Sequence, residues 1–363
     1  MRIAILHDHL CGIGGAERVF QYFCEEFAEA DAYVLSHNRR RTLPYFARRG
    51  VRTTVLNPFV RTMEAYRWAF VPATYVWESL DLSAYDVVLT SSAHGAKYAR
   101  VPNGVHICYC YFPTRAIWNR AEYFGTSLKG RALDIALPYL RRRDLAAASR
   151  IDRFIAISRI SQQAIAKYYA RDSEIMFPPV DLDRFHPRGT RGDHYLLVSR
   201  LETWKRVDYA IEAFNRLRLP LRVVGTGQLE QRLRAMAGPN ITFLGALDDD
   251  ALAREYAQAR ALIFTPRLEY GLTPLEAAAS GTPVIGFGKD GFAEVMVPLG
   301  GADGRTPTAV FFDEQTADSL MAAVERFENA GAEFDSASLR AHAVAWGVPA
   351  FKRRIRELVE SVG

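Results

Sequence analysis

The sequence predicts an α/β protein made of two doubly wound domains, each a parallel sheet with helices on its faces. Three observations carry that prediction. Short β-rich runs recur with a glycine turn and an amphipathic stretch between several of them, the rhythm of parallel strands joined by helices. Several of these runs are almost continuously apolar, as strands covered on both faces are. The alternation breaks at a Pro/Gly/charge-rich passage, PPVDLDRFHPRGTRGDH, and then restarts. A chain of 363 residues with 49% hydrophobic content has enough apolar material for more than one core.

Taken in order, RIAILHDHL leads through GIGG into AERVFQYFCEEFAE, a strand followed by a helix. AYVLSH, TTVLN, DVVLTSS, HICYCY and RFIAIS are the further strands expected of the first domain. A linker is expected near residues 178–193. Beyond it HYLLVSR, LRVVGTG, ITFLG, ALIFTP and PVIGF alternate with helical segments such as VDYAIEAFNRL and DALAREYAQA, and AFKRRIRELVESV closes the chain as an amphipathic helix. No solenoid-period repeat and no low-complexity tract interrupts this order.

Composition narrows the function classes. No apolar run reaches the roughly 18 residues of a membrane span. The opening MRIAILHDHL is one strand long and carries charge and histidines, so it is not read as a signal peptide. The four cysteines, at 11, 24, 108 and 110, lack paired metal-ligand spacing. Cys108 and Cys110 share one face of a strand, which suits buried thiols in a reducing cytosol and argues against disulfides and zinc. Up to residue 185 there are 25 Lys and Arg against 18 Asp and Glu, a net +7; the remainder has 21 against 23, a net −2. A basic first half suits anionic lipid, nucleic acid or an anionic substrate. A solvated surface is the plain alternative.

Candidate chemistry clusters at strand ends. GIGGAE at 12–17 and GTGQLE at 225–230 begin like a dinucleotide fingerprint but carry glutamate where its third glycine belongs. What remains is glycine at a helix N-terminus, where backbone N–H groups favour phosphate or sugar oxygens; for Gly14 and Gly15 an ordinary tight turn fits as well. In HYLLVSRLETWKR, Arg200 ends a strand and Lys205 follows in the loop, positioned to hold a diphosphate or simply to be solvated. Asp248-Asp249-Asp250 resembles a metal cluster but immediately precedes a helix, where it reads as a cap. Thr273-Pro274-Leu275-Glu276 fits a capping box. Yet Gly271 permits close approach, Leu272 and Thr273 present N–H groups to an anion, and a carboxylate beside phosphate needs another task, such as gripping ribose hydroxyls.

In combination these segments resemble a known family. SRLETWKRVDYAIEAFNRL, VVGTGQLEQRL, ITFLGAL and EYGLTPLEAAASGTPVIGFG resemble the donor-binding half of family 4 glycosyltransferases of the GT-B fold. HDHLCGIGGAERVF, SSAHGAKYAR, CYCYFPTRAIW, IAISRISQQAIAKYY and FPPVDLDRF resemble the other half, and bacterial mannosyltransferases are the nearest in kind. The resemblance implies two Rossmann-like domains facing each other across a cleft: 1–186 for the acceptor, 187–345 for the nucleotide sugar, and 346–363 as a helix returning to the first. It implies that Arg200 and Lys205 hold the donor diphosphate, that Glu276 grips the ribose, that the Leu272 and Thr273 N–H groups meet phosphate, and that Gly14 and Gly15 line the cleft. It also implies a cytoplasmic enzyme, peripheral at the inner face of the membrane. There the basic first half, including Arg141-Arg142-Arg143, meets anionic lipid, and aromatics of EAYRWAFVPATYVW help at the interface or serve the core.

The chain departs from the family twice. Tyr111 stands where a histidine near the reacting sugar is usual, and Leu268 stands where a glutamate contacts the transferred sugar. The polar contact or base is then expected from Glu269, His94 or the His7-Asp8-His9 cluster, with inversion open beside the family's retention. The expected activity is transfer of a hexose, mannose from GDP-mannose, to a hydroxyl of a lipid-linked or polysaccharide acceptor, with cations at the leaving group, no metal and no nucleic acid. Guanine and uracil donors both remain open. A nucleotide-sugar epimerase of the same architecture and a non-catalytic nucleotide-sugar-binding subunit are the alternatives.

Overall fold

The computed structural model describes residues 1–119, 128–267, 270–301, 304–330 and 333–362, without the side chains at 63, 67 and 128–135. The chain divides into two compact units, Met1–Pro178 with Phe351–Gly363, and Pro179–Ala350.

Among the described residues, the first unit carries a seven-stranded parallel sheet: β1 (Ile3–His7), β2 (Asp31–Val34), β3 (Arg52–Thr53), β4 (Val87–Ser92), β5 (Val105–Cys110), β6 (Arg153–Ala156) and β7 (Ser173–Ile175), in the order β3-β2-β1-β4-β5-β6-β7. The central strands are buried on both faces: every residue of β4 is buried, as are Ala4 to His7 of β1. Helix Gly15–Glu26 covers the sheet with Val19, Phe20 and Phe23, the i, i+1, i+4 set of an amphipathic face. TTVLN is not a strand. Only Arg52 and Thr53 pair with β2, and Thr54–Phe59 fold back in turns closed by bonds from the Asn57 N–H to the Thr54 carbonyl and the Phe59 N–H to the Leu56 carbonyl. β7, a three-residue edge strand, gave no pattern strong enough to read.

The second unit carries β8 (Tyr195–Val198), β9 (Leu221–Val224), β10 (Ile241–Gly245), β11 (Leu262–Phe264), β12 (Val284–Phe287) and β13 (Ala309–Phe312), parallel in the order β10-β9-β8-β11-β12-β13. Helix Val207–Leu217 buries Val207, Ala210, Ile211 and Phe214, positions i, i+3, i+4 and i+7, and packs them with Tyr195, Leu197 and Val223. β13 was not among the expected strands.

Both expected boundaries move. Residues 179–186 belong to the second unit, because Arg340 donates to the carbonyls of Leu182 (3.0 Å) and Phe185 (2.7 Å), and Val180 bonds Trp346 at 2.9 Å. Arg184 adds an ion pair to Asp249 at 2.8 Å. At the other end the second unit runs on to Ala350. Helix Val348–Glu360 buries Phe351, Ile355 and Val359 on one stripe; Phe351 stacks on Phe23 and Lys352 pairs with Glu25 at 2.7 Å, which holds this segment to the first unit. Burying three such side chains contributes about 1.5–3 kcal/mol each.

Candidate active site

In the second unit the strand order reverses between β8 and β11: β9 and β10 lie to one side, β12 and β13 to the other. Loops leaving the carboxyl ends of such a pair diverge and open a crevice, the usual ligand position in an open α/β sheet. Arg200 follows β8, and Lys205 closes a short 3-10 turn, Thr203–Lys205, in the same connection. Arg200 is exposed, with its guanidinium 5.9 Å from the Trp204 ring centre, while Lys205 is half-buried. The Thr265 hydroxyl, just past β11, donates to the Lys205 carbonyl at 2.6 Å and joins the two loops across the crevice. Sequence reasoning missed Thr265, since nothing in ALIFTP marks it apart from other strand ends.

The GTGQLE glycines serve this loop rather than a ligand directly. At Gly225, φ is +128° and a Cβ would fall 1.9 Å from the Ser199 carbonyl oxygen; at Gly227 it would fall 2.4 Å from that of Leu201. No larger residue fits there, so the two glycines let this turn close against the backbone on either side of Arg200.

Helix Leu272–Ala279 supplies the other wall. The capping box does not form: Gly271 is the N-cap, no side chain caps the helix, and Leu272 and Thr273 are its first two residues. Their N–H groups therefore have no partner within the helix and carry the positive end of its dipole. Glu276 is released from capping and accepts a hydrogen bond from the Tyr256 hydroxyl at 2.8 Å, which fixes its orientation. Arg200, Lys205, Leu272, Thr273 and Glu276 are thus all carried by the two connections at the switch point. Leu268 and Glu269 lie outside the described residues. Asp248 caps helix Asp249–Gln258 by accepting from the Ala251 N–H at 2.7 Å, so the acidic run is a helix start.

The first sheet has its own switch point, between β1 and β4. Asp8 follows β1, and its carboxylate accepts four backbone N–H groups of the loop after β4: Ala93 and His94 on one oxygen, Gly95 and Ala96 on the other, at 2.7–2.9 Å. Burial opposes its charge, but His94, His7 and these N–H groups outweigh it and hold the carboxyl below its usual range. With both oxygens filled, Asp8 is a fastener and not a base. Burial lowers His7 to about 4; burial and the neighbouring His7 lower His9 to about 3, so both rings are neutral at neutral pH. His7 is bonded to Ser91, whose hydroxyl is 3.0 Å from that of Tyr111. The Tyr111 hydroxyl also donates to the Ala16 carbonyl at 3.2 Å, and burial keeps it protonated. Tyr111 therefore ties β5 to the start of helix Gly15–Glu26, a structural task that its sequence position did not announce. Gly14 is the N-cap of that helix and Gly15 its first residue. His94, half-buried with its ring 5.5 Å from Tyr66, is set by the loop that Asp8 fastens.

The basic surface expected of residues 141–143 is only partly available. Arg141 and Arg142 are exposed, but Arg143 pairs with Glu78 at 3.0 Å and lies over the Tyr75 ring at 3.8 Å. In EAYRWAFVPATYVW, Tyr66 and Trp77 are core residues while Trp68 is 68% exposed. Among the described residues no helix is long and apolar enough to cross a membrane.

Comparison with known proteins agrees with this two-sheet α/β architecture. Residues 13–184 match the family described as Glycosyltransferase Family 4, and residues 182–341 match glycosyl transferases group 1. Among curated relatives, O-antigen chain mannosyltransferase C of Escherichia coli is 32% identical over 108 residues, 28% of this chain and 29% of that protein. D-inositol 3-phosphate glycosyltransferase of Geodermatophilus obscurus is 29% identical over 251 residues, 52% and 55% of the respective chains. The chain thus spans well under two thirds of the length of either relative. Among solved structures, sucrose-phosphate synthase of Thermosynechococcus elongatus superposes with a TM-score of 0.75 at 17% identity, over 99% of both chains. HepE of Anabaena in complex with UDP superposes with a TM-score of 0.72 at 15% identity, over 99% of this chain and 100% of that one. With two successive family matches along one GT-B architecture, the chain belongs to the GT-B glycosyltransferases of the family 4 type.

Proposed function

We propose that this glycosyltransferase moves a hexose, mannose from GDP-mannose, to a hydroxyl of a lipid-linked or polysaccharide acceptor, with no metal ion taking part. The observation that carries the reading is the β8–β11 crevice, where Arg200 and Lys205 stand on one connection and the N-terminus of helix Leu272–Ala279 on the other. The bond from the anomeric carbon to the diphosphate oxygen breaks, the acceptor oxygen bonds to that carbon, and negative charge collects on the leaving diphosphate. Arg200, Lys205 and the Leu272 and Thr273 N–H groups stabilise that charge where it develops. Glu276, oriented by Tyr256, accepts from the ribose hydroxyls. The acceptor proton leaves on the diphosphate or on a base, for which Glu269 and His94 are the candidates. Retention and inversion are separated by the anomeric configuration of the product, read by NMR.

A named mannosyltransferase among the relatives supports the sugar; UDP in the HepE complex keeps uracil in the comparison. A panel of nucleotide sugars, read by thermal stabilisation and slow donor hydrolysis, is expected to favour GDP-mannose. A larger response to a UDP-sugar would overturn the donor assignment, and no response to any would overturn nucleotide-sugar binding. We further propose that the first unit sits on the cytoplasmic face of an anionic membrane through Arg141, Arg142 and Trp68. Binding to acidic liposomes is then expected to weaken steeply with salt; equal binding to neutral liposomes at every salt concentration would discard this account.

A further inference from the structure

At the β3 edge of the first sheet, past the carboxyl end of β2, lies a cavity of about 640 Å³ lined by His37, Asn38, Arg39, Arg40, Thr53 and Arg61 among others. Its wall is bonded together: the His37 N–H donates to Asn57 at 2.8 Å, the Asn38 side chain to the Arg61 carbonyl at 2.9 Å, and Arg61 to the His37 carbonyl at 3.2 Å. No acidic residue lines the cavity, and among the described residues Arg39, Arg40 and Arg61 form no ion pair with a carboxylate. Neighbouring Arg52 behaves otherwise and pairs with Asp31 at 2.8 Å.

His37, 7% exposed, leaves its Nε2 without a hydrogen-bond partner. Burial, then the charges of Arg39 and Arg61, hold this ring below its usual pKa. On the turn that carries Asn57, Val55 and Phe59 are 76% and 75% exposed, so apolar surface lies close in the chain to the basic cavity wall. Three uncompensated guanidinium groups around one concavity repel each other and match the oxygens of a phosphate with their fixed forks of donors.

We propose that this cavity binds a phosphate or diphosphate monoester, the anionic end of the acceptor. Naming it the acceptor end rests on the transferase reading; the binding itself does not. The group's source is a lipid headgroup, for which Val55 and Phe59 would meet the chain, or a soluble sugar phosphate.

The test is calorimetric titration of inorganic diphosphate, at low ionic strength, into the full chain and three variants: Arg39→Gln with Arg40→Gln, Arg61→Gln alone, and Arg200→Ala with Lys205→Ala. The expected result is two sites: one whose affinity falls about tenfold or more in the first two variants and persists in the third, and a second, in the β8–β11 crevice, that only the third variant abolishes. Binding insensitive throughout to Arg39, Arg40 and Arg61, or lost altogether with Arg200 and Lys205, overturns the proposal. Vesicles of phosphatidylcholine with and without a prenyl diphosphate, set against a soluble hexose 1-phosphate, then assign the source. GDP and UDP titrations run in parallel keep the two readings apart. If neither nucleotide binds while diphosphate still needs the three arginines, the transferase reading falls and the cavity stands.

Discussion

At the switch point of the first sheet polar side chains bond one another and the backbone, and at that of the second an exposed arginine and an uncapped helix N-terminus bring positive charge to the crevice. Asp8 is filled by four backbone N–H groups, His7 is bonded to Ser91, and Tyr111 to Ser91 and Ala16. Deeper in the same unit Lys97 is fully buried, with its ammonium 2.9 Å from Asp144 and bonded to Thr114 and Tyr169. In the second unit Arg200 is exposed, and the first N–H groups of helix Leu272–Ala279 have no capping side chain. The first crevice is braced by groups bonded to one another, with only the His7 Nε2 and His9 Nδ1 ring atoms left over among them, while the second presents an exposed arginine and an uncapped helix N-terminus. Charge that is already neutralised by its neighbours holds loops in place, and charge that is not stabilises a ligand.

The largest effect that would break this contrast is on stability. Lys97→Met removes the cation from a buried pair and leaves Asp144 uncompensated, so unfolding in urea is expected to show a loss of about 3–5 kcal/mol. A neutral outcome would mean that the first unit's charges are not its scaffold. Arg200→Ala and Lys205→Ala are expected to do the opposite. Each should lower turnover about a hundredfold while leaving the melting temperature almost unchanged, because removing a contact made to the developing charge of the leaving group costs rate and not folding. Near-wild-type rates in both would place the diphosphate elsewhere.

A pH titration sharpens the same contrast. Burial depresses His7 to about 4, His9 to about 3 and His106 to about 3. Folded, each stays neutral; unfolded, each takes a proton below about pH 6.5. Unfolding therefore takes up protons, and stability should fall as pH drops from 6.5 toward 4, by up to about 1.4 kcal/mol per pH unit for each ring. Full stability is expected above that window. A flat profile between pH 4 and 6.5 would show the rings to be solvated. The mildest change is Glu276→Gln, which keeps an oxygen for the Tyr256 hydroxyl but loses the charge offered to the ribose. We expect KM for the donor to rise about tenfold with turnover nearly unchanged. A fall in turnover at constant KM would instead make Glu276 part of the chemistry.

Much of this was legible before the fold. Val207, Ala210, Ile211 and Phe214 announce their helix by spacing alone, and the central strands by unbroken apolar runs, because backbone periodicity fixes which side chains share a face. Arg200 and Lys205 were placed beyond β8 because a strand followed by a loop cation is a local pattern, and the diphosphate role proposed for them came from the family resemblance. The same local reasoning misplaced the start of helix Leu272–Ala279 by treating Thr273 as its cap, when Gly271 holds that position. It also assigned Arg143 to the membrane, when Glu78, 65 residues away in sequence, already holds it.

The sequence by itself determined the kinds of element, their order, the break between two halves and the cations beyond β8. Tertiary structure alone decided that β8 lies beside β11, that Asp8 meets an N–H group 85 residues away, and that Arg39, Arg40 and Arg61 surround one cavity. The reason is physical. Periodicity and capping are set by neighbours within a few residues, whereas the partner of a buried carboxylate or an uncompensated arginine is set by which distant segments the packing of apolar faces brings together.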